Sequence, residues 1–180
     1  MRHRATMGAA VALAVVAAIL GGCDRSGTWH EPRHEAGRAQ AELPKVTVTV
    51  GQTPLDVEVA DQPEERRMGY MYRDKPDAGG MLFVYPDEQR MAYHMKDVTF
   101  DIDIAFITED GRIDQIEHMK AFMVSPPRRA QPGRTPNEAR TWDSLRPVKY
   151  ALEVPAGWFA ANNIRAGDKV TIPAEVTASE

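Results

Sequence analysis

Hydrophobic and polar residues alternate along two short segments near residue 50. Residues 46–50 read VTVTV and residues 55–59 read LDVEV, with the turn-forming residues GQTP between them. A period of two on both sides of a turn predicts a β-hairpin with one buried face.

A short helix is predicted directly after this hairpin. Asp61 has the side chain of an N-cap residue, Pro63 falls in the first turn, and Glu64 follows three residues after Asp61. This combination is typical of a helix N-terminus. Gly69 is expected near the end of the helix.

Further apolar segments predict more strands and one more helical turn. Pro86 is expected to stop the first of these strands, and the Asp-Gly pair at 110–111 is a strong turn signal. The predicted strands are 80–85, 90–95, 102–107, 112–119, 148–154 and 168–172, and the helical turn is 157–163. Eight strands with frequent turns predict a mainly β fold, a sandwich or partly closed barrel with one or two short peripheral helices.

The first 22 residues are of a different kind. Arg2, His3 and Arg4 precede an apolar run from 7 to 20, which has the length of the hydrophobic region of a signal peptide. The run is too short to span a bilayer comfortably, since a membrane helix needs about 20 apolar residues. Residues 1–22 are therefore predicted to be a signal peptide.

The end of the apolar run resembles the lipobox of bacterial lipoproteins. Leu20, Gly21 and Gly22 precede Cys23, and in such a sequence the chain is cut before the cysteine, whose sulfur receives a diacylglycerol. Dual acylation anchors a protein stably in a membrane. The sequence thus predicts an exported protein held in the cell envelope through lipidated Cys23 and facing the periplasm, with inner and outer membrane both left open.

Composition divides the rest of the chain. Residues 23–44 hold the lipidated cysteine and mix charge, glycine and proline, which predicts a flexible tether. Residues 45–175 are predicted to form one β domain, and 176–180 a tail. Inside the domain, residues 120–147 form a long loop rich in proline and arginine, including Arg128 and Arg129. We interpret this loop as a solvated insertion, with a contact surface for an envelope protein or an anionic ligand as the alternative.

Charge, cysteine content and motifs exclude several classes of function. The formal net charge of −4 offers no support for nucleic-acid binding. Cys23 is the only cysteine, so no intramolecular disulfide can form, and lipidation of its sulfur excludes thiol catalysis. The sequence has no phosphate-binding loop, nucleophile elbow or zinc-ligand spacing, and no cofactor is predicted.

Polar residues interrupt an apolar stretch that reads AYHMKDVTFDIDIAFI. His94 and Lys96 would share one face of a strand, and Asp101 and Asp103 would share a face of the next strand. A histidine oriented by a carboxylate is a workable general base. The hydrolytic alternative is therefore a site centred on His94 with Asp101, Asp103 and His118.

A structural role accounts for the same residues. Lys96 and Asp97 are expected at a turn, where an aspartate accepts backbone N–H groups. Asp103 could accept backbone amides or pair with Arg66 of the predicted helix, and removing one member of a buried ion pair costs about 3–5 kcal/mol. We favour this role, which leaves recognition to the outer loops.

Two weaker alternatives concern ligands. His94–Met95 and His118–Met119 carry imidazole and thioether groups, which suit Cu(I), but neighbours on a strand point to opposite faces, and we predict no metal site. Aromatic side chains could instead stack on a small molecule or a glycan. These aromatic residues are Tyr72, Tyr93, Trp142 and Trp158.

Several motifs, in order along the chain, resemble the DUF192 family, a bacterial and archaeal domain of unknown function. The matching segments are Glu65–Met71 (ERRMGYM), Gly80–Tyr85 (GMLFVY), Tyr93–Asp97 with Asp103–Ile107 (YHMKD and DIAFI) and Leu152–Phe159 (LEVPAGWF). Together they span about residues 46–173. The resemblance implies a compact, jelly-roll-like β fold with peripheral helices, and it brings no established activity, substrate or catalytic residues. Two positions depart from the family pattern: His94 replaces a tryptophan and Asp97 an asparagine.

Taken together, these features predict a lipid-anchored, non-enzymatic binding or interaction module with an unknown ligand. The residues expected to contact a ligand or partner are His94, Lys96, Asp97, Asp101, Asp103, Arg66, Arg128 and Arg129.

Overall fold

A computed structural model describes residues 37–76, 79–121, 140–176 and 178. The strands are β1 (Lys45–Val50), β2 (Thr53–Ala60), β3 (Met81–Gln89), β4 (Ala92–Tyr93), β5 (Ile102–Ile107), β6 (Ile113–Met119), β7 (Trp142–Asp143), β8 (Val148–Pro155) and β9 (Val170–Thr171). The helices are α1 (Pro63–Met68) and α2 (Trp158–Ala161). Neither helix in this part of the chain has the length and hydropathy needed to cross a membrane. The predicted signal peptide, Cys23 and most of the tether lie outside the described residues, as do Arg128 and Arg129.

Seven strands form one curled sheet, a half-barrel, in the order β6-β5-β8-β3-β2-β1-β9. The pair β2–β3 is parallel and is connected through α1, whereas the other pairs of this sheet are antiparallel. The predicted mainly β fold with a partly closed barrel and short peripheral helices is confirmed.

The two edges of the curled sheet meet at one end. Arg112, just before β6, forms a β-bridge with Lys169, just before β9. The Ile113 amide donates to the Asp168 carbonyl at 2.9 Å, and the Val170 amide donates to the Gly111 carbonyl at 2.7 Å. Backbone hydrogen bonds therefore close the barrel locally.

Alternating side chains divide the core between the two faces of the sheet. On one face, which we call the α2 face, the valines of β1 and β2 pack with Leu82, Leu152 and Phe159 of α2. On the other, which we call the pocket face, Met81, Phe83, Ile104 and Phe106 pack with Tyr93, among others. Both faces are therefore covered, which explains why the central strands are apolar along most of their length.

Three predicted boundaries are wrong by small amounts. The hairpin turn contains two residues, Gly51 and Gln52, because Val50 pairs with Thr53. The N-cap of α1 is Gln62, one residue after the expected Asp61, and the Glu65 carboxylate accepts the Gln62 amide at 3.1 Å. Pro86 does not end β3, which continues to Gln89 through an irregularity in its pairing with β8. Gly69 is the C-cap, as expected.

The predicted strand 90–95 is much shorter than expected, and its partner was not predicted at all. Only Ala92 and Tyr93 pair, with β7 inside the predicted loop 120–147. The Ser144 hydroxyl accepts the Met91 amide at 2.9 Å, and the Ser144 amide donates to the Met91 carbonyl at 2.9 Å. These contacts hold the β4 segment against the sheet, where it forms one wall of the candidate site.

Candidate functional site

A cavity of about 330 Å³ opens on the pocket face. Residues of α1 and the turn after it form one side, and β3, β8 and the β4 segment form the others. About half of its wall is apolar, including Phe83, Val98 and Ile102. The polar and ionisable groups in the wall are Arg66, Arg67, Tyr70, Tyr85, Tyr93, His94 and Glu153.

Glu153 is the buried acid of this cavity. It lies opposite Met81 of β3 and Ile104 of β5, while Leu152 and Val154 on either side of it face the α2 core. Strand alternation therefore directs one carboxyl group into an apolar surface. The residue is 5% exposed, and burial raises the pKa of its side chain to about 8. At neutral pH the carboxyl group is mainly protonated.

A second buried glutamate shows how the fold stabilises a buried acid elsewhere. Glu58 of β2 also lies opposite Met81, and the Arg73 guanidinium donates to both of its carboxylate oxygens, at 2.6 and 2.7 Å. Among the described residues, no cation pairs with Glu153 in this way. Glu153 therefore has a cavity beside it where Glu58 has the guanidinium of Arg73.

Two tyrosine hydroxyls accompany Glu153. The hydroxyls of Tyr85 and Tyr93 are 3.3 Å apart, and the Tyr93 ring packs edge-on against Phe83 and Phe106. Burial raises the pKa of both tyrosines. Both hydroxyls therefore stay protonated near neutral pH and are able to donate and accept hydrogen bonds.

Arg66 contributes a positive charge to the same cavity. Its Nη1 donates to the backbone carbonyl of Val84 at 2.9 Å and to that of Asp61, and the guanidinium lies 5.0 Å from the Tyr85 ring centroid. Within the described residues, its Nε and Nη2 have no hydrogen-bond acceptor. The neighbouring Arg67 instead pairs with Glu64 on the exposed side of α1. Arg66 was expected either to pair with Asp103 or to contact a ligand, and it does not pair with Asp103.

His94 lies at the solvent-exposed rim of the cavity. The burial pattern from Met91 to Lys96 alternates strictly, so that His94 and Lys96 are exposed while Tyr93 and Met95 are buried. The Lys96 amide donates weakly to His94 Nδ1, at 3.4 Å. Lys96 and Asp97 form the expected turn, in which the Asp97 carbonyl accepts the Tyr72 amide at 2.9 Å.

The other predicted polar residues meet each other away from His94. Asp103 accepts a hydrogen bond from His118 Nδ1 at 2.7 Å and another from the Gly157 amide at 2.7 Å. Asp101 accepts the Ala121 amide at 2.7 Å and lies 3.6 Å from His118 Nε2. Asp101, Asp103 and His118 thus converge, but two of their carboxylate oxygens bind backbone amides that hold loops to the sheet.

The methionines of the copper alternative lie in the core. Met95 and Met119 both pack in the apolar cluster of the pocket face. In the described ranges, no group of three or more His, Cys, Asp or Glu side chains is arranged to hold a metal ion. Of the aromatic candidates, only Tyr93 lines the cavity.

Glu153 and Tyr85 were not predicted as site residues. Both fall in segments that we used only to establish strands and the family resemblance. The available signal was a carboxylate in the middle of the apolar strand YALEV, a polar residue that a fully buried strand does not need.

Comparison with known proteins gives a family and two similar folds. The profile of the DUF192 family, described as an uncharacterized ACR, matches residues 46–172. A proposed transcription regulator from Sinorhizobium meliloti 1021 is 28% identical with a TM-score of 0.59, over 73% of this chain and 95% of that chain. A protein of unknown function from Novosphingobium aromaticivorans DSM 12444 is 24% identical with a TM-score of 0.57, over 72% and 86% of the two chains. No relative was found among curated proteins.

Proposed function

The chain belongs to the DUF192 family, and from that premise we propose that it is an envelope lipoprotein whose domain binds a small ligand in the cavity around Glu153. One observation carries this proposal: Glu153, a residue only 5% exposed, borders the cavity and forms no ion pair with any described residue. A buried acid without a partner destabilises a fold, so such groups concentrate at functional sites.

The lining of the cavity favours binding over catalysis. It combines apolar walls with a few convergent polar groups, which is the usual composition of a small-molecule site. The described residues of the wall include no serine, threonine, cysteine or lysine to act as a nucleophile. The two tyrosine hydroxyls and the protonated Glu153 are suited to hydrogen-bonding a ligand in a fixed orientation.

The location rests on the amino-terminal sequence. The basic residues, the apolar run and the Leu-Gly-Gly-Cys end support export and lipidation of Cys23, which would place the domain on the periplasmic side of a membrane. The exposed Lys96 and the arginine-rich loop are the surfaces through which we propose that the domain contacts an envelope protein or an anionic group. We do not extend the regulatory role of the Sinorhizobium relative to this chain, because a net charge of −4 disfavours binding to DNA.

Ligand-observed NMR on the purified, lipidated protein in detergent micelles tests the binding function. A library of small polar compounds would be screened against the parent, against Glu153→Leu, which removes the acid, and against Asp101→Asn, a matched change outside the cavity. We expect compounds that bind the parent and the Asp101 variant and lose binding in the Glu153 variant. A screen in which no compound depends on Glu153 would overturn the proposal.

A further inference from the structure

Building on the proposed binding function, we propose that the ligand is a small zwitterion whose ammonium group meets Glu153 and whose carboxylate meets Arg66. Both protein groups line one cavity, and the two charges are opposite in sign. A ligand that carries both charges would complement both protein groups at once.

The contrast between the two buried glutamates supports an ammonium group as the partner of Glu153. Glu58 and Glu153 both flank Met81 in the same row of the sheet. Glu58 receives a cation from the protein, Arg73, through two short hydrogen bonds. Glu153 is nearly as buried, at 5% exposed against 0% for Glu58, and borders a cavity instead. An ammonium group in that cavity would give Glu153 a positively charged hydrogen-bond donor, as Arg73 does for Glu58.

The hydrogen-bond donors of Arg66 support a carboxylate as the second charged group of the ligand. Two backbone carbonyls hold Nη1 and so fix the plane of the guanidinium. The Nε and Nη2 groups, without acceptors in the described part of the chain, form the edge of a guanidinium that binds carboxylates through two parallel hydrogen bonds. An exposed arginine with a carboxylate partner, such as Arg67 with Glu64, would lack this capacity.

The apolar part of the cavity wall defines the rest of the ligand. The side chains of Phe83, Val98 and Ile102 are apolar and contact methylene groups well. A volume of about 330 Å³ is near the lower limit for small-molecule pockets. An ω-amino acid, with a few methylenes between its ammonium and carboxylate groups, has this shape and polarity.

Binding of such a ligand releases a proton. The carboxyl group of Glu153 loses its proton to solvent as its carboxylate forms an ion pair with the incoming ammonium, and no other bond is made or broken. The remaining groups that face the cavity are Tyr70, Tyr85, Tyr93, Arg66, Arg67 and the rim residue His94. Tyr85 and Tyr93 do not contribute near neutral pH, because burial raises the pKa of each. Because the pKa of Glu153 is about 8, release at pH 7 should approach one proton and should fall as the pH rises through 8, with little release left at pH 9.

Isothermal titration calorimetry on the lipidated full chain tests this inference. The probes are glycine, 4-aminobutanoate and 6-aminohexanoate, together with 4-aminobutanamide, which lacks the carboxylate, and butanoate, which lacks the amine. Titration at pH 7 in phosphate and in Tris gives the number of protons released. We expect one zwitterion to bind at least tenfold more tightly than the amide and butanoate, with release of close to one proton.

Three variants distinguish the contribution of Glu153 to binding from that of Arg66. Glu153→Gln should weaken binding at least tenfold and abolish proton release, whereas Arg66→Gln should weaken binding to a similar degree and keep the release. Arg165→Gln, a change of an exposed arginine outside the cavity, should bind like the parent. Equal affinity for the zwitterion and butanoate, or binding without proton release, would overturn the zwitterion. If uncharged compounds bind the parent but not the Glu153 variant, only the assignment of a zwitterionic ligand is wrong. If no compound binds in a Glu153-dependent manner, the proposed binding function is wrong as well.

Discussion

Arg73 and Glu58 form a buried ion pair that ties the segment after α1 to strand β2. The guanidinium donates to both carboxylate oxygens, at 2.6 and 2.7 Å, and the Glu58 side chain has no exposed surface. The Leu43 amide also donates to this carboxylate, at 3.1 Å. One acid thus organises two segments that are separate in sequence.

Removing Arg73 should therefore destabilise the domain strongly. In Arg73→Met, Glu58 remains buried without its cation, and we expect the free energy of unfolding to fall by about 3–5 kcal/mol. Urea denaturation followed by circular dichroism measures this. The double variant Arg73→Met with Glu58→Met should recover most of the loss, and Arg67→Met, at the exposed pair, should unfold like the parent. A loss below about 1 kcal/mol in the single variant would contradict a dominant role for the pair.

The stability of the domain should decrease between pH 4.5 and 8, where Glu153 is ionised in the unfolded chain but stays protonated in the folded protein. The pKa of this group is raised from its ordinary value of 4.5 to about 8 by burial, so the folded state holds the proton more tightly than the unfolded state. The contribution of Glu153 is complete below pH 4.5 and is lost as the pH rises to about 8, on the order of 5 kcal/mol in all.

Glu153→Gln should remove this part of the pH dependence. The measurement is the free energy of unfolding of parent and variant between pH 5 and 9, and the difference should grow in favour of the variant as the pH rises. Glu64→Gln, on the exposed side of α1, should follow the parent curve. Parallel curves for parent and Glu153→Gln would show that Glu153 ionises in the folded protein as it does in the unfolded chain.

Asp103 should act as a structural link between β5, β6 and the start of α2. Its two oxygens accept hydrogen bonds from His118 Nδ1 and the Gly157 amide. Asp103→Ala leaves both donors without their acceptor, and we expect a loss of about 1–3 kcal/mol. Hydrogen exchange should show faster exchange of the Gly157 amide in particular. Asp101→Ala provides the comparison, and an unchanged Gly157 exchange rate in Asp103→Ala would rule out the link.

Membrane association should depend on Cys23. In Cys23→Ser no thiol is available for lipidation, so the protein should move from the membrane fraction to the soluble periplasmic fraction. Fractionation with immunoblotting, together with intact-mass analysis for the acyl groups, measures both effects. Ser26→Ala, a change of similar size in the tether, should leave the protein in the membrane. Retention of Cys23→Ser in the membrane would mean that something other than a lipid anchors it.

The parts of the fold that follow from local patterns were predictable. The hairpin β1–β2 and the strands β5, β6 and β8 are visible because burial on a sheet repeats with a period of two or gives a continuous apolar run. Strand β7 has only two residues and carries no periodicity. Pro86 was misinterpreted because its missing amide is harmless where the pairing of β3 with β8 is already interrupted.

The site was less predictable because it depends on contacts between residues that are far apart in the sequence. The alternation of exposed His94 and Lys96 with buried Tyr93 and Met95 could be inferred from the local pattern. The difference between Glu58 and Glu153 could not, since both are acids in largely apolar strands. Only the folded chain shows that an arginine reaches one of them and a cavity borders the other.

The local closure of the barrel limits contacts between copies of the protein. An open seven-stranded sheet would present two rows of unpaired amides and carbonyls, which attract strands of other chains. Here the Arg112–Lys169 bridge joins the beginning of β6 to the segment that leads into β9, a strand of only two residues. Gln115 of β6 further binds the backbone at Asp143 and Leu145 through its side chain. Strand addition by a neighbouring molecule, the first step of edge-to-edge aggregation, is thereby disfavoured.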